Sequence, residues 1–316
     1  SFGRFLRLRR EYLAAFVLGG IAPDLDTLIV WINQIHPTSY LLVHRGFTHT
    51  LFFGFFVAAF LLYLVSRDSF KTRSRGLVTA DLQFSPATLA YSYAGIISHL
   101  FLDYLTSEGV PLFYPLTASR YSAEIFSRIE IVILIATLLF MAKLFRDRPA
   151  IKIDKRMSAV FIIFLLVVSG IRLQGKEMAD GLYDDGSKIY PDSNLFQWTI
   201  LKNDSDNNRF LISRFNLFAG PLPDNTYYLH QSIPLHKDGF DSVLVRAESL
   251  PQVKLFRWRS SAVAINASEK EGQWIIEYFD PVIMAQYANS WRPLNASSRG
   301  FGSIRVMVNE NGAAVV

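Results

Sequence analysis

Five long apolar runs, at positions 12–33, 50–65, 87–105, 129–145 and 157–173, fill the first half of this chain, and three short basic blocks sit beside them. Several of the runs approach the ~20 residues needed to cross a ~30 Å hydrocarbon layer, and tilt or snorkelling serves the shorter ones. One such run is readily a buried core helix of a water-soluble protein. Five of them with charges placed like these point to a membrane domain. The composition agrees: 51% of the 316 residues are apolar and 19% charged, against roughly 25% charged in an average soluble domain. There is no cysteine, which excludes a disulfide scaffold, a Cys-ligated zinc and a Cys nucleophile.

The basic residues orient the runs. Arg4, Arg7, Arg9 and Arg10 precede the first; Arg67, Lys71, Arg73 and Arg75 lie between the second and third. Lys143, Arg146, Arg148, Lys152, Lys155 and Arg156 lie around the gap between the fourth and fifth, whereas the connections 34–45 and 106–128 carry few. Lys and Arg accumulate on the cytoplasmic side, so an in–out–in–out–in–out path fits every loop. The expected location is a membrane crossed several times, with the N-terminus cytoplasmic. The net charge of +5 is thereby topogenic, and with no aromatic interleaving on a folded face, nucleic acid is not an expected partner.

From about position 175 the apolar runs become short and alternating, at 195–201, 210–218, 227–235, 242–246, 253–265, 273–279 and 303–308, with turn clusters at 203–208, 220–225 and 309–312. These read as strands. The expected architecture is a membrane α-helical domain of about five transmembrane helices (1–174), then a β-rich extracytoplasmic domain (175–316), with 176–192 as linker. His230 and His236 read as ordinary surface residues, and Trp258 between Arg257 and Arg259 as a rim residue able to touch lipid headgroups.

The informative residues in the helical half are the ionisable ones. Asp24 and Asp26 follow Gly19, Gly20 and Pro23; His44, Arg45, Thr48 and His49 open the second run; His99 and Asp103 close the third. An ionised carboxylate at mid-bilayer costs about 2.5–3.5 kcal/mol, so three unpaired ones approach roughly 8–10 kcal/mol. A shared divalent cation offsets all of them at once and also accepts imidazoles. Pro23 can restart a helix with both aspartates in its first turn, and His99 and Asp103, spaced i, i+4, share a face. His44 and His49 would stand about 140° apart on one helix, so His44 belongs to the incoming loop and Thr48 to the cap. The charge rule independently places all three segments at the outer level of the membrane.

These residues resemble the YdjM family of inner-membrane metal-dependent hydrolases. The resemblance rests on Gly19-x-x-x-Pro23-Asp24-x-Asp26, on His44-Arg45-Gly46-x-Thr48-His49-Thr50, and on Ser98-His99-x-x-x-Asp103 followed by Gly109-Val110-x-Leu112-x-x-Pro115. It covers roughly 13–130 and implies a divalent-metal hydrolase embedded in a bacterial or archaeal inner membrane, with Asp24, Asp26, His44, His49, His99 and Asp103 as metal ligands. It also implies an acidic residue where the fourth run begins, which is Glu130 here, with Glu124 the weaker match. Family members generally open with a Thr-His segment that supplies another ligand. None precedes Arg4, as expected if the natural chain starts further upstream or if one ligand is missing.

The donor types suit zinc, or manganese where oxygen ligands dominate, and their number allows one ion or two. Asp24 or Asp26, if not a ligand, is the candidate general base, and Arg45 is suited to hold an anionic oxygen. The outer-interface position points to a lipid or lipid-linked phosphoester. Two other readings stand beside hydrolysis: a metal-ion or proton transporter, and a non-catalytic envelope protein with a structural metal site. No zinc-protease His-Glu-x-x-His, Gly-x-Ser-x-Gly elbow or P-loop is present.

Overall fold

Helix α1 (Arg10–Ile21) stops one residue short of Pro23, where the chain restarts as a 3₁₀ helix, Pro23–Leu28, with Asp24 and Asp26 in its first turn. This computed structural model describes residues 10–29, 32, 42–73, 82–127, 131–146, 155–183, 186–233, 239–270, 272–288, 302–309 and 312–315. A single 3₁₀ turn, Phe47–His49, leads into α2 (Leu51–Ser66), followed by the short α3 (Asp68–Arg73). The expected cap at Thr48 is made by Thr50 instead, whose hydroxyl accepts the Phe53 N–H at 3.1 Å. Helix α4 (Pro86–Tyr104) starts with Pro at N1 and a capping box between Ser85 and Thr88, which satisfies two otherwise orphaned donors. Helices α5 (Ile131–Arg146) and α6 (Lys155–Asp180) complete the helical half.

Two compact units result, 1–123 with 132–167, and 124–131 with 168–316. In the first, α1 and α4 meet at glycines. A Cβ placed on Gly19 would overlap the Ser92 carbonyl oxygen, and one on Gly95 would overlap that of Phe16. Ala15, Leu62, Val65 and Leu82 bury one layer between α1, α2 and α4, and Ala22, Ala58, Ile96 and Leu100 bury another.

Much of the remaining helix surface is apolar: Phe52, Phe55, Phe56 and Phe60 on α2, Leu134, Ile135, Leu138 and Leu139 on α5, and Val160, Ile163, Leu166 and Val167 on α6 are all exposed. Surfaces of that extent are normally covered, by a partner or by lipid. Among the described residues, Arg156–Asp180 is the one helix both long and apolar enough to cross a bilayer. The five spans expected from the apolar runs are therefore met only as a helical first half. The run at 12–33 is broken at Pro23, leaving a 12-residue α1, and α2 has 16 residues.

The second unit carries two sheets. Strands β1 (Ser187–Pro191), β2 (Gln197–Asp204), β3 (Arg209–Asn216) and β4 (Gly220–Leu229) form a four-stranded antiparallel meander. One of its faces packs Ile189, Trp198, Ile200 and Phe215 around Ala179 of α6. The other packs Tyr190, Leu201 and Ile212 against Val282 and Ala285, the period-2 alternation of a strand buried on both sides. The second sheet is ordered β5 (Gln231–Ser232), β6 (Ala264–Lys270), β7 (Gln273–Phe279), β8 (Ser303–Asn309) and β9 (Gly312–Val315). Helices α7 (Phe240–Ser249) and α8 (Pro251–Arg259) bury Phe240, Ala247, Val253 and Phe256 against Ile265, Trp274, Ile276, Tyr278, Val306 and Val308.

Two of the segments read as strands differ. Residues 242–246 lie in α7 and 253–259 in α8, because the apolar positions Phe240, Val243, Leu244 and Ala247 recur at helical, not alternating, spacing. The expected linker at 176–192 holds instead the last turn of α6 and all of β1. His230, read as a surface residue, is partly buried, with its ring against Phe210 at 4.2 Å between centroids and its Nδ1 3.1 Å from Asn208 Oδ1. His236 lies outside the described residues.

Helix α9 (Pro281–Ala288) is capped by Asp280, which is fully buried and accepts the N–H groups of Ser261 at 2.6 Å and Val282 at 2.9 Å. Burial pushes its carboxyl up to about 6 against the pull of those N–H groups.

Two expectations follow. Gly95→Val forces α1 from α4 and costs more than the about 1–3 kcal/mol of ordinary overpacking, whereas Gly170→Val, whose Cβ meets nothing within 4 Å, is tolerated. Detergent-solution melting by size-exclusion should show the loss for the first alone. Asp280→Ala removes a cap and strands buried N–H groups, at about 2–3 kcal/mol, read as a lower unfolding midpoint that Asp206→Ala does not reproduce.

Candidate metal centre

The ionisable residues of the helical half meet at helix ends. Asp24 and Asp26 come from the 3₁₀ turn after α1, His44 and Arg45 from the segment before α2, His49 from the turn capped by Thr50, and His99 and Asp103 from the last turns of α4. His49 is fully buried, while the Asp24 side chain is 52% exposed. His49 Nε2 lies 3.5 Å from both Asp24 Oδ1 and Asp103 Oδ2. His99 Nε2 lies 3.4 Å from Asp24 Oδ1 and 3.3 Å from Asp103 Oδ2.

Those separations discriminate between two states. An imidazolium bonded to a carboxylate would close to about 2.7–2.9 Å. Two donors held at 2.0–2.1 Å by one tetrahedral ion stand roughly 3.3–3.4 Å apart. The observed distances fit the second. Consistent with it, His49 Nε2, His99 Nε2 and Asp103 Oδ2 are buried with no hydrogen-bond partner among the described residues.

The opposite ring nitrogens are engaged. His99 Nδ1 lies 2.8 Å from the Gly20 carbonyl oxygen, which can only accept, so Nδ1 carries a proton and the ring, when neutral, has its lone pair on Nε2. The Thr48 hydroxyl donates to Asp26 Oδ2 at 2.9 Å and lies 3.0 Å from His49 Nδ1. Having spent its one proton on the carboxylate, that hydroxyl accepts from His49 Nδ1, and the His49 ring, when neutral, likewise has its lone pair on Nε2. Such outer contacts are the usual way a metal-binding imidazole is oriented.

Two groups can hold a metal ion: Asp24, His49 and His99, with Asp103 beside both rings, and Asp26, His44 and His49, in which His44 Nδ1 lies 3.0 Å from Asp26 Oδ1. All six expected ligands are thus drawn into one cluster.

Arg45 takes a left-handed backbone (φ 60°) and is buried. Its two terminal nitrogens reach Asp103 Oδ1 at 2.7 Å, Thr106 Oγ1 at 2.8 Å and Glu108 Oε2 at 3.4 Å. Glu108 and Thr106 were missed in the sequence, because both lie past the apolar run in a connection that carries no other sign. Their one signal is position, within five residues after Asp103. Glu130 lies outside the described residues. Glu124 is in the second unit, 3.8 Å from Lys176, and burial raises its carboxyl against the pull of Lys176 and Lys188.

Thr48→Val removes the hydroxyl joining Asp26 to His49 while keeping its shape. Metal affinity should fall by about 10–100-fold, measured by competition with a chelator, with the fold unchanged by circular dichroism.

A family model described as YdjM inner membrane protein matches residues 2–177. That is more than half of the chain, and the chain belongs to this family. No curated protein and no solved structure matches it.

Proposed function

We propose that this chain, as a member of the YdjM inner membrane protein family, is a membrane-embedded divalent-metal-dependent hydrolase that cleaves an ester or phosphoester, with a lipid-linked phosphoester as the favoured substrate class. One observation carries the reading: two imidazole Nε2 atoms and an Asp103 oxygen, all buried without a hydrogen-bond partner among the described residues, face a half-exposed Asp24. Structural zinc sites are closed, whereas catalytic ones keep an open position. The exposure of Asp24 supplies the opening. His49, His99 and Asp103 would give Zn²⁺ three ligands and leave its fourth position open, with Mn²⁺ as the alternative.

A bound divalent ion would lower the pKa of a coordinated water and polarise the scissile group. The chain's own residues do the rest. His49 and His99 present lone pairs whose direction is set by Thr48 with Asp26 and by the Gly20 carbonyl. Asp103 is aimed by Arg45. Asp24, at the open side, is the group able to take the proton of an attacking water. With both terminal nitrogens of Arg45 engaged, it acts as a positioning residue for Asp103. Asp26 and His44 form the support around His49 or, with a second ion, its ligands.

Membrane association follows from the family, and the multi-pass path with a cytoplasmic N-terminus and extracytoplasmic second unit is our further proposal, supported by the placement of the basic blocks. It puts the cluster at the outer interface, where lipid headgroup esters lie.

Metal analysis of purified protein should give one or two equivalents, lost in His49→Ala and His99→Ala. With added Zn²⁺ or Mn²⁺ the wild type should hydrolyse a phosphoester lipid, and Asp24→Asn should lower the rate at least 10²-fold, the usual contribution of a positioned base. Metal bound without turnover of any ester would leave a structural site; no metal would remove the proposal.

A further inference from the structure

We infer that the turns 192–197 and 216–219 of the first sheet form an aromatic tip that inserts into the outer-leaflet interface and seats the second unit on the bilayer. The inference rests on the proposed membrane crossing of α6. Phe218 is 78% exposed, and its ring lies tilted against that of the partly buried Phe196 from the neighbouring turn, centroids 5.1 Å apart. An exposed phenyl ring seated on a second one needs a cover, and the course of the chain says which.

Helix α6 leaves its apolar stretch and runs along the sheet. Arg172 bonds to the carbonyls of Asp192 at 2.6 Å and Gln197 at 3.2 Å, at the end of the sheet that carries both turns. Ala179, two turns later, packs with Ile189 and Ile200. The chain then enters β1 at Ser187, paired with Lys202 at the far end of the sheet. The tip therefore lies at the end of the sheet level with Arg172 and the half-exposed Leu173, where α6 enters this unit.

The tip is also built to lose water. Asn216 Oδ1 accepts the N–H groups of Phe218 and Ala219 at 3.0 and 3.1 Å, Asn194 Oδ1 accepts that of Phe196 at 3.1 Å, and the Phe196 carbonyl accepts that of Leu217 at 2.9 Å. Four backbone donors are satisfied within the turns, so moving them out of water strands none of them. Arg172, fully buried with its guanidinium over Trp198 at 5.4 Å, gives its charge to the turn carbonyls instead of to lipid. The turn at 205–208, rich in Asp and Asn, sits at the opposite end of the sheet.

The chain has no native cysteine, so single-cysteine variants report depth directly. Full-length protein carrying Phe218→Cys, Ala219→Cys, Asn207→Cys or Val167→Cys is labelled with a nitroxide in vesicles of phosphatidylethanolamine and phosphatidylglycerol. Collision with oxygen is compared with collision with a water-soluble nickel chelate. Labels at 218 and 219 should show a several-fold higher oxygen-to-nickel ratio than the label at 207. Ala219→Cys keeps both rings, so a folding failure of the Phe218 variant does not decide the matter. An oxygen-rich signal at 167 with nickel-accessible signals at 218 and 219 overturns the tip alone. A nickel-accessible signal at 167 overturns the crossing of α6, and the tip with it.

Discussion

The first unit is organised around one electrostatic constraint: carboxylates and imidazoles buried together among apolar helices. A buried polar group must be bonded or neutralised, and a buried charge must be paired. Here each side chain serves that requirement twice. Asp26 takes His44 on one oxygen and Thr48 on the other; Asp103 takes Arg45 on one oxygen and faces both histidines with the other. Three of the atoms left unbonded, His49 Nε2, His99 Nε2 and Asp103 Oδ2, meet at one point, and that point is where chemistry can be placed.

The backbone makes the convergence feasible. The absence of a side chain at Gly19 and Gly95 lets α1 and α4 approach until carbonyl and glycine Cα are in contact. That approach brings the Gly20 carbonyl within 2.8 Å of His99 Nδ1. Packing and chemistry are thus the same contact: a larger residue at position 95 would separate the helices and also remove the acceptor that sets the tautomer of His99. The distance between two helices decides which nitrogen of an imidazole is free.

Most of the cluster was legible in the sequence because ionisable residues in apolar runs are costly, so Asp24, Asp26, His49, His99 and Asp103 stand out wherever they occur. Their supports did not stand out. Thr48 looks like a helix cap, since Ser and Thr before an apolar run usually are, and only the observed turn shows Thr50 doing that work. Glu108 lies in a polar connection where a carboxylate costs nothing to predict. The second unit shows the converse limit. Alternation at 273–279 and 303–308 identified β7 and β8, but in 240–259 short apolar clusters fit both periods. Phe240 with Val243, Leu244 and Ala247 is helical only when the buried face is known.

The charge balance explains why the cluster calls for a cation. Asp24, Asp26, Asp103 and Glu108 bring four carboxylates to the cluster, and the Arg45 guanidinium reaches two of them, Asp103 and Glu108. Asp103 sits in the last turn of α4, where the partial negative charge of the helix end opposes it. Protonating the histidines would redress the balance, but the proton at Nδ1 of His99 is already committed to a carbonyl. A second proton at Nε2 would face the Asp24 and Asp103 oxygens at 3.4 and 3.3 Å, longer than such charged bonds usually run. A divalent ion meets the same deficit without that mismatch, because it needs the lone pairs where they are. A bound divalent ion would hold both imidazoles neutral, and Asp24, half in solvent, is the carboxylate at the open side of the site.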